Sequence, residues 1–361
     1  MILLNNIVEF IFLKLNHIIL RERNKNYNKT YLFISLSGLG DFIISHILLE
    51  NTNLFVEKKT YFLFDKKYET FLSDYAGSIN LFPVDREKYK FNILYRYRII
   101  FLIRKLRLEK IYNLNKGRRI IDDQLTILSG SKEKIALSYC GKNFKKYFKY
   151  QIDKYYTDIL NAANENEINK INTLLNIKDA EKNNRINKLY FSRNDCASSI
   201  CSSMNYVVIC PFSSSKFREW PIENYINIIS WIIKNFSYDI ILIGTTNAKI
   251  NLIPNNRVVN LINLTTLEQA ANILENAKLF IGNDSGLAHV SKALNKKRII
   301  LMGGGSYSHY FPYGNNKDEK LLFYQMDCFG CEWDCIHEKP FCLTNIDIAQ
   351  LKDAVNLLIE R

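Results

Sequence analysis

The sequence predicts an α/β protein of two doubly wound, Rossmann-like domains of similar size that face each other across a cleft. Short apolar runs that read as buried strands alternate with helical segments through most of the 361 residues, the pattern of a largely parallel sheet covered by helices on both faces. The alternation breaks once, from about Asn164 to Lys188, where Asn, Lys, Glu and Ile dominate without strand character, and then begins again. A chain of this length is also long enough for two separate cores. The domain boundary is placed in that polar stretch, giving domains 1–187 and 188–361.

Taken in order, Met1 to Leu20 is apolar but interrupted by Asn5, Asn6, Glu9, Lys14, Asn16 and His17, too often for a bilayer span, and it lacks the features of a secretory signal. Ile7, Ile11, Leu15 and Ile18 recur at helical spacing, so an amphipathic helix is expected, packed either on the protein's own core or on a membrane surface. Tyr31 to Leu36 reads as a buried strand, followed by the turn Ser37-Gly38-Leu39-Gly40-Asp41 and a helix from Phe42 to about Leu49, a βα unit of the dinucleotide-binding type. Further strands are expected at Tyr61–Phe64, Ile79–Phe82, Lys110–Leu114 and Lys134–Ser138, with a long helix from about Lys88 to Leu106 and another from about Thr157 to Leu175.

In the second half, strands are expected at Tyr206–Cys210, Asp239–Ile243 and Val258–Ile262. Pro221 at a first-turn position marks a helix to Phe236, and Thr265 to Gln269 opens another helix in the manner of a capping box. A helix from about Asp347 to Glu360 ends the chain. Between these lies Phe280 to Gly305, FIGNDSGLAHVSKALNKKRIILMGGG, read as strand, tight turn, helix opening at Asn283 or Asp284, and a strand Arg298–Met302 running into three glycines. Leu287, Val290, Ala293 and Leu294 form the helix's apolar face, and Ser285 and His289 share the other. Gly286 lets backbone N–H groups approach a ligand closely, and an anion suits a helix start. The loop Pro211 to Pro221 adds Ser213, Ser214, Lys216 and Arg218 at a strand end, the edge where open α/β sheets bind ligands.

The net charge is +13, and 47% of residues are hydrophobic. That composition describes a globular protein and points to an anionic partner: nucleotide phosphates, acidic glycolipid or a membrane surface. Scattered Lys and Arg without a nucleic-acid-binding pattern argue against nucleic acid. The pair Asp122-Asp123 reads as a solvated helix face and not a metal site.

SGLGD (Ser37–Asp41), PFSSSKFREWP (Pro211–Pro221), LTTLEQAANIL (Leu264–Leu274) and NDSGLAHVSKAL (Asn283–Leu294), in that order, resemble glycosyltransferase family 9, the lipopolysaccharide heptosyltransferases. The resemblance implies the GT-B architecture and an inverting, metal-independent transfer of a sugar, ADP-heptose being the expected donor, to a hydroxyl of a lipopolysaccharide or lipooligosaccharide core. It implies no required cofactor, and action at the cytoplasmic face of a Gram-negative inner membrane. Matched by position, Asp41 falls at the family's general base in the acceptor-side domain. Arg218 falls where a Lys usually contacts the donor phosphates, Ser214 at a hydroxyl position, and Glu268 at an acid near the ribose. Asp284, Ser285, Gly286 and His289 match the donor-binding signature. Three positions differ from the family pattern: Ser35 stands where a basic residue is common, Ile47 where a proline is common, and Arg218 replaces Lys. A family member using another nucleotide sugar or glycan acceptor is the alternative.

Four of the eight cysteines form Cys328-x2-Cys331-x3-Cys335-x6-Cys342. Four soft donors within fifteen residues could surround one ion, but the spacing is not that of a zinc ribbon, so reduced structural thiols are expected. Cys140, Cys196, Cys201 and Cys210 read as small apolar residues. A Rossmann oxidoreductase would need a glycine where Ile43 stands, and a non-catalytic glycan-binding protein would have no need of Asp41 beside the whole DSGxxH set.

Overall fold

The structure is a computed structural model, and it describes residues 2–20, 26–50, 58–72, 77–115, 117–138, 152–161, 166–175, 205–247, 255–307, 309–313 and 317–359. The chain divides into two compact units, one comprising 1–69 and 75–183, the other 70–74 and 184–361. The expected linker and its boundary at 187 lie outside the described residues, as do Cys140, Cys196 and Cys201.

The first unit holds a six-stranded parallel sheet of β1 (Asn28–Ser35), β2 (Lys59–Asp65), β3 (Asn80–Val84), β4 (Leu108–Asn113), β5 (Glu133–Leu137) and β6 (Asp158–Leu160), in the order β3-β2-β1-β4-β5-β6. Its helices are α1 (Ile2–Ile19), α2 (Leu39–Glu50), α3 (Arg86–Phe91), α4 (Ile93–Lys105), α5 (Ile120–Leu128) and α6 (Glu167–Leu175). The second unit repeats the plan with β7 (Tyr206–Cys210), β8 (Asp239–Leu242), β9 (Val258–Asn260), β10 (Leu279–Asn283), β11 (Arg298–Leu301) and β12 (Glu319–Leu322), ordered β12-β11-β10-β7-β8-β9 and again all parallel. Its helices are α7 (Ile222–Asn235), α8 (Leu267–Asn276), α9 (Gly286–Ala293), α10 (Phe341–Thr344) and α11 (Ile348–Ile359).

Counted from its own first strand, each sheet runs 3-2-1-4-5-6, the Rossmann order. Its strand order reverses between β1 and β4 in one unit and between β7 and β10 in the other, and ligands of such sheets bind at that switch point, outside the carboxyl ends of the strands. The central strands are buried on both faces because helices cover both. In β1, Leu32 and Ile34 pack with Ile99 and Ile103 of α4 and Leu125 of α5. The alternate residue Phe33 lies on the opposite face, where Phe62 of β2 stacks with Phe42 of α2 and Phe64 meets it at a tilt. In the second unit, Val207, Ile209, Ile281 and Leu301 join Ile228 and Ile232 of α7 and Val355 and Leu358 of α11 in one core.

Several expectations change. The single helix from Lys88 to Leu106 is two, because the Asn92 side chain accepts the Tyr95 amide at 2.9 Å and caps a new helix instead of continuing the old one. The helix expected over Thr157–Leu175 begins instead as β6, since Ile135, Ala136 and Leu137 offer a sheet edge for Asp158, Ile159 and Leu160, and only Glu167–Leu175 is helical. The helix of the DSG motif starts later than expected. Asn283 completes β10, the Asp284 amide still bonds across to Leu301, and Ser285 is the N-cap. Strand β12 is an addition. Its polar start is held by Glu319, which is buried and ion-paired to both Lys292 and Arg298.

Asp122 and Asp123 are not a solvated face. Both are buried on α5. Burial raises Asp122 to about 6 and Asp123 to about 7, while Arg118, 3.8 Å from Asp123, and the Tyr156 hydroxyl, 2.6 Å away, oppose the shift in Asp123.

Candidate active site

In the second unit the site is built at the β7–β10 switch point. The loop 211–221 leaves β7 and is fixed to β10 by one side chain, Asn283, which is fully buried. Its amide donates to the Pro211 carbonyl at 2.7 Å, and its oxygen accepts the Trp220 amide at 3.0 Å and the Tyr225 hydroxyl at 2.9 Å. The loop carries a short 3-10 turn, Lys216–Arg218. Arg218 donates to the Ser214 hydroxyl. Its guanidinium is also close enough to Asp284 and His289 to act on both electrostatically.

Asp284 is buried, and desolvation raises its pKa against the opposing effects of the Ser306 hydrogen bond and of Arg218. Its Oδ2 and the Ser285 hydroxyl are buried without a hydrogen-bond partner among the described residues. Ser285 makes no side-chain capping bond, and the first amides of an α-helix have no partner within it. An arginine, two orphaned buried oxygens and open helix-terminal amides therefore meet at one sheet edge. That set binds a group carrying both anionic and hydroxyl character.

His289, expected on the same helix face as Ser285, lies inside the fold. It is buried against Phe311, with ring centroids 4.7 Å apart, and its Nδ1 lies 3.0 Å from the Tyr313 hydroxyl. Burial first, then Lys292 and Arg218, lowers its pKa to about 3, so the ring is neutral at physiological pH and serves as a hydrogen-bonding group, not a cation. Lys216 faces Glu219 at 3.1 Å, and the Ser213 amide donates to the same carboxylate, so these residues shape the loop. Glu268 sits in the first turn of α8, where it accepts from Thr266 at 2.7 Å. No bond among the described residues joins it to Arg218 or Asp284. The three glycines 303–305 are not open. A Cβ at Gly304 would lie 2.3 Å from Phe329, and one at Gly303 or Gly305 would lie 2.6 Å from Trp333.

Those rings belong to the cysteine-bearing segment, which Trp333 ties to Ser306 by an indole hydrogen bond of 2.8 Å. Cys328, Cys331 and Cys335 are half-buried free thiols and Cys342 is buried. The Cys342 thiol is pushed up by burial and then by the other three thiols. Among the described residues no three His, Cys, Asp or Glu side chains are placed to hold a metal ion.

In the first unit, Asp41 lies in the first turn of α2, and its carboxylate accepts the Gly38 amide at 3.2 Å. A carboxylate at that end of a helix is favoured by the helix dipole. A Cβ at Gly38 would meet nothing closer than the Asp41 carboxylate at 3.6 Å, so the fold does not require this glycine. Gly40 lies within the same first turn. Ser37 hydrogen-bonds Asn115, joining the carboxyl ends of β1 and β4 across the switch point. Ser35 is buried and accepts from Ser45 at 3.3 Å.

Sequence reasoning missed Tyr68, Arg86 and Arg119, whose charges and phenol interact with one another and with Asp41. Burial and then Asp65 push the Tyr68 phenol up, Asp41 adds to the rise, and Arg86 and Arg119 counter it, so all four charges act at the phenol. Arg86 also donates to the Leu36 carbonyl at 3.4 Å. Only the folded chain brings them together, and no local motif marks them.

The model of glycosyltransferase family 9 (heptosyltransferase) matches residues 129–335, more than half of the chain. The chain belongs to glycosyltransferase family 9. Among curated family 9 relatives, it is 29% identical over 133 residues to lipooligosaccharide heptosyltransferase 2 of Campylobacter jejuni, and 28% identical over 120 residues to lipopolysaccharide heptosyltransferase 3 of Escherichia coli. These matches cover 34% and 31% of this chain and span 41% and 35% of the relatives' own lengths.

Solved structures match over far more of the chain. ADP-heptose lipopolysaccharide heptosyltransferase II of E. coli gives a TM-score of 0.66 at 16% identity, covering 92% of this chain and 98% of that one. A family 9 glycosyltransferase of Veillonella parvula gives 0.67 at 14% identity, covering 93% and 99%. An iron-containing dodecameric glycosyltransferase, TibC of enterotoxigenic E. coli, gives 0.58 at 14% identity, covering 94% and 78%. The two Rossmann-like units thus have the GT-B architecture of these solved structures.

Proposed function

We propose that this family 9 enzyme transfers a heptose from ADP-heptose to a hydroxyl of a lipopolysaccharide or lipooligosaccharide core, inverting the anomeric centre. The observation that carries the reading is the convergence of Arg218, the orphaned oxygens of Asp284 and Ser285 and the amino end of α9 at one sheet edge. In the reaction, the leaving ADP takes up negative charge as its bond to the sugar breaks. Arg218 and the amides of Gly286 and Leu287 spread that charge. Asp284, Ser285 and neutral His289 hold sugar or phosphate oxygens, and Glu268 receives ribose hydroxyls. Asp41 takes the proton of the acceptor hydroxyl as that oxygen attacks the anomeric carbon. Arg86 and Arg119, which with Asp41 act on the Tyr68 phenol, suit the anionic groups of a core glycolipid. The donor is supported by the E. coli heptosyltransferase WaaC, solved with ADP-2-deoxy-2-fluoro heptose, at a TM-score of 0.59.

The domain boundary at 187, the cytoplasmic location and contact with a membrane surface belong to the same reading. Elemental analysis of the purified chain tests the metal-free mechanism, with the thiols of Cys328 to Cys342 as the soft donors to watch.

The decisive experiment compares wild type with Asp41→Asn by ADP calorimetry and by transfer from ADP-heptose to a core acceptor. The expected result is transfer reduced at least ~100-fold with ADP affinity within about twofold of wild type. Equal loss of both would remove Asp41 from its role. A donor screen in which only UDP- or GDP-sugars stabilise the protein would replace the donor.

A further inference from the structure

The first unit carries an apolar, acid-free surface that neither the fold nor the site explains. Helix α1 packs on α5 and is tied to α4 through side chains. The Arg96 guanidinium holds the Glu9 carboxylate through bonds of 2.7 and 3.1 Å, the Tyr97 hydroxyl donates to Asn16 at 2.8 Å, and Arg104 donates to the Leu20 carbonyl at 2.7 Å. Phe10 and Leu13 of α1 point into the core with Ile100 and Ile127. The remaining faces stay exposed. On α1 the outer stripe is Ile11, Leu15 and Ile18, at spacings of four and three, with Ile18 71% and neighbouring Ile19 73% exposed. On α4 it is Leu94, Arg98, Phe101 and Lys105, again at helical spacing, with Leu94 77% and Phe101 50% exposed. At 100° per residue, each outer stripe borders the stripe that touches the other helix, so the two form one surface, with Phe12 and Tyr97 (centroids 5.7 Å apart) along the seam.

Charge selects the occupant. Across Ile2–Ile19 and Ile93–Lys105 the one acidic residue is Glu9, which is buried and paired with Arg96. Arg98 and Lys105, both exposed, supply the charge of the surface, while the Lys14 ammonium lies over the Phe10 ring at 4.7 Å. No described helix is long and apolar enough to cross a membrane. Exposed aliphatic and aromatic side chains interleaved with long cationic ones, with no acid among them, suit the headgroup layer of an anionic bilayer. We propose that the joined outer faces of α1 and α4 dock this protein on an anionic lipid surface, with Ile11, Leu15, Ile18, Leu94 and Phe101 entering the acyl boundary and Arg98 and Lys105 meeting lipid phosphates. This deepens the reading above, in which the acceptor is a glycolipid, by naming the surface that meets the membrane.

The test is co-sedimentation of the full chain with phosphatidylcholine vesicles, with and without phosphatidylglycerol, in the absence of donor and acceptor. Binding to the anionic vesicles, weakened by salt, is expected. Leu94→Glu with Phe101→Glu should lower the partition coefficient at least ~tenfold, and Arg98→Gln with Lys105→Gln roughly fivefold per charge removed. These residues are on the surface, so melting temperatures should stay near wild type. Absence of vesicle binding, or binding unchanged in both variants, would overturn the proposal. So would a dimer in sedimentation velocity that Leu94→Glu with Phe101→Glu splits, which would assign the face to a second copy. Because no substrate is present, a failure of the heptosyltransferase reading leaves this result standing, and a failure here leaves transfer to detergent-dispersed acceptor untouched.

Discussion

Asn283 donates its side-chain amide to the main-chain carbonyl of Pro211, 72 residues earlier, at 2.7 Å. One buried carboxamide thereby fastens the Arg218 loop to the strand that leads into Asp284, Ser285 and Gly286. Asn283→Ala leaves the Pro211 carbonyl, the Trp220 amide and the Tyr225 hydroxyl without this partner. We expect a stability loss of about 3 kcal/mol, since a buried polar group stripped of its bond costs roughly 1–3 kcal/mol. Chemical denaturation measures it. Calorimetry with ADP should also show weaker binding, because the loop loses its anchor.

Arg218→Ala should weaken ADP binding at least ~tenfold, and Arg218→Lys by less, since the charge survives while the forked donor geometry does not. Unchanged ADP affinity in Arg218→Ala would place the diphosphate elsewhere. The alanine variant should also let the His289 pKa rise, because the Arg218 charge is one of the influences holding it down; NMR titration of the ring reads that shift.

The buried carboxyl of Asp123 gives stability a pH dependence of defined sign. Its folded pKa of about 7 lies above the ordinary value of 3.8, so between those limits the folded protein holds a proton that the unfolded chain has released. Its contribution to stability therefore falls as pH rises from about 4 to about 7 and is level above that. Asp123→Asn should flatten this part of the stability profile, as measured by urea melts across the range.

Two glycines should respond differently to alanine. Gly304→Ala drives a Cβ to 2.3 Å from the Phe329 ring and should lower the melting temperature by several degrees. Gly38→Ala meets only the Asp41 carboxylate at 3.6 Å and should melt like wild type. Thermal melts of the two variants side by side make the comparison.

The double Rossmann plan was legible because central parallel strands such as YLFIS and YVVIC are buried on both faces and read as unbroken apolar runs. The β7–β10 site was legible because Asp-Ser-Gly at a helix start has a local physical meaning. What stayed hidden depends on partners far along the chain. Glu319 looks like a surface acid until Lys292 and Arg298 are seen to enclose it. Asp122 and Asp123 look solvated until Tyr156 and Arg118 arrive from neighbouring segments. His289, at helical spacing from Ser285, looks open until Phe311 and Tyr313 close over it.

The shared strand order sets a timetable for synthesis on the ribosome. In each unit the first strand made must wait for the fourth before the ligand edge between them exists: β1 for β4 at Leu108–Asn113, and β7 for β10 at Leu279–Asn283. A nascent chain that stalls after β9 carries the Arg218 loop without the Asn283 that anchors it. The edges of β1 and β7 that face β4 and β10 then wait for their partners for as long as those gaps take to translate, a delay that non-local parallel pairing imposes on any chain of this order.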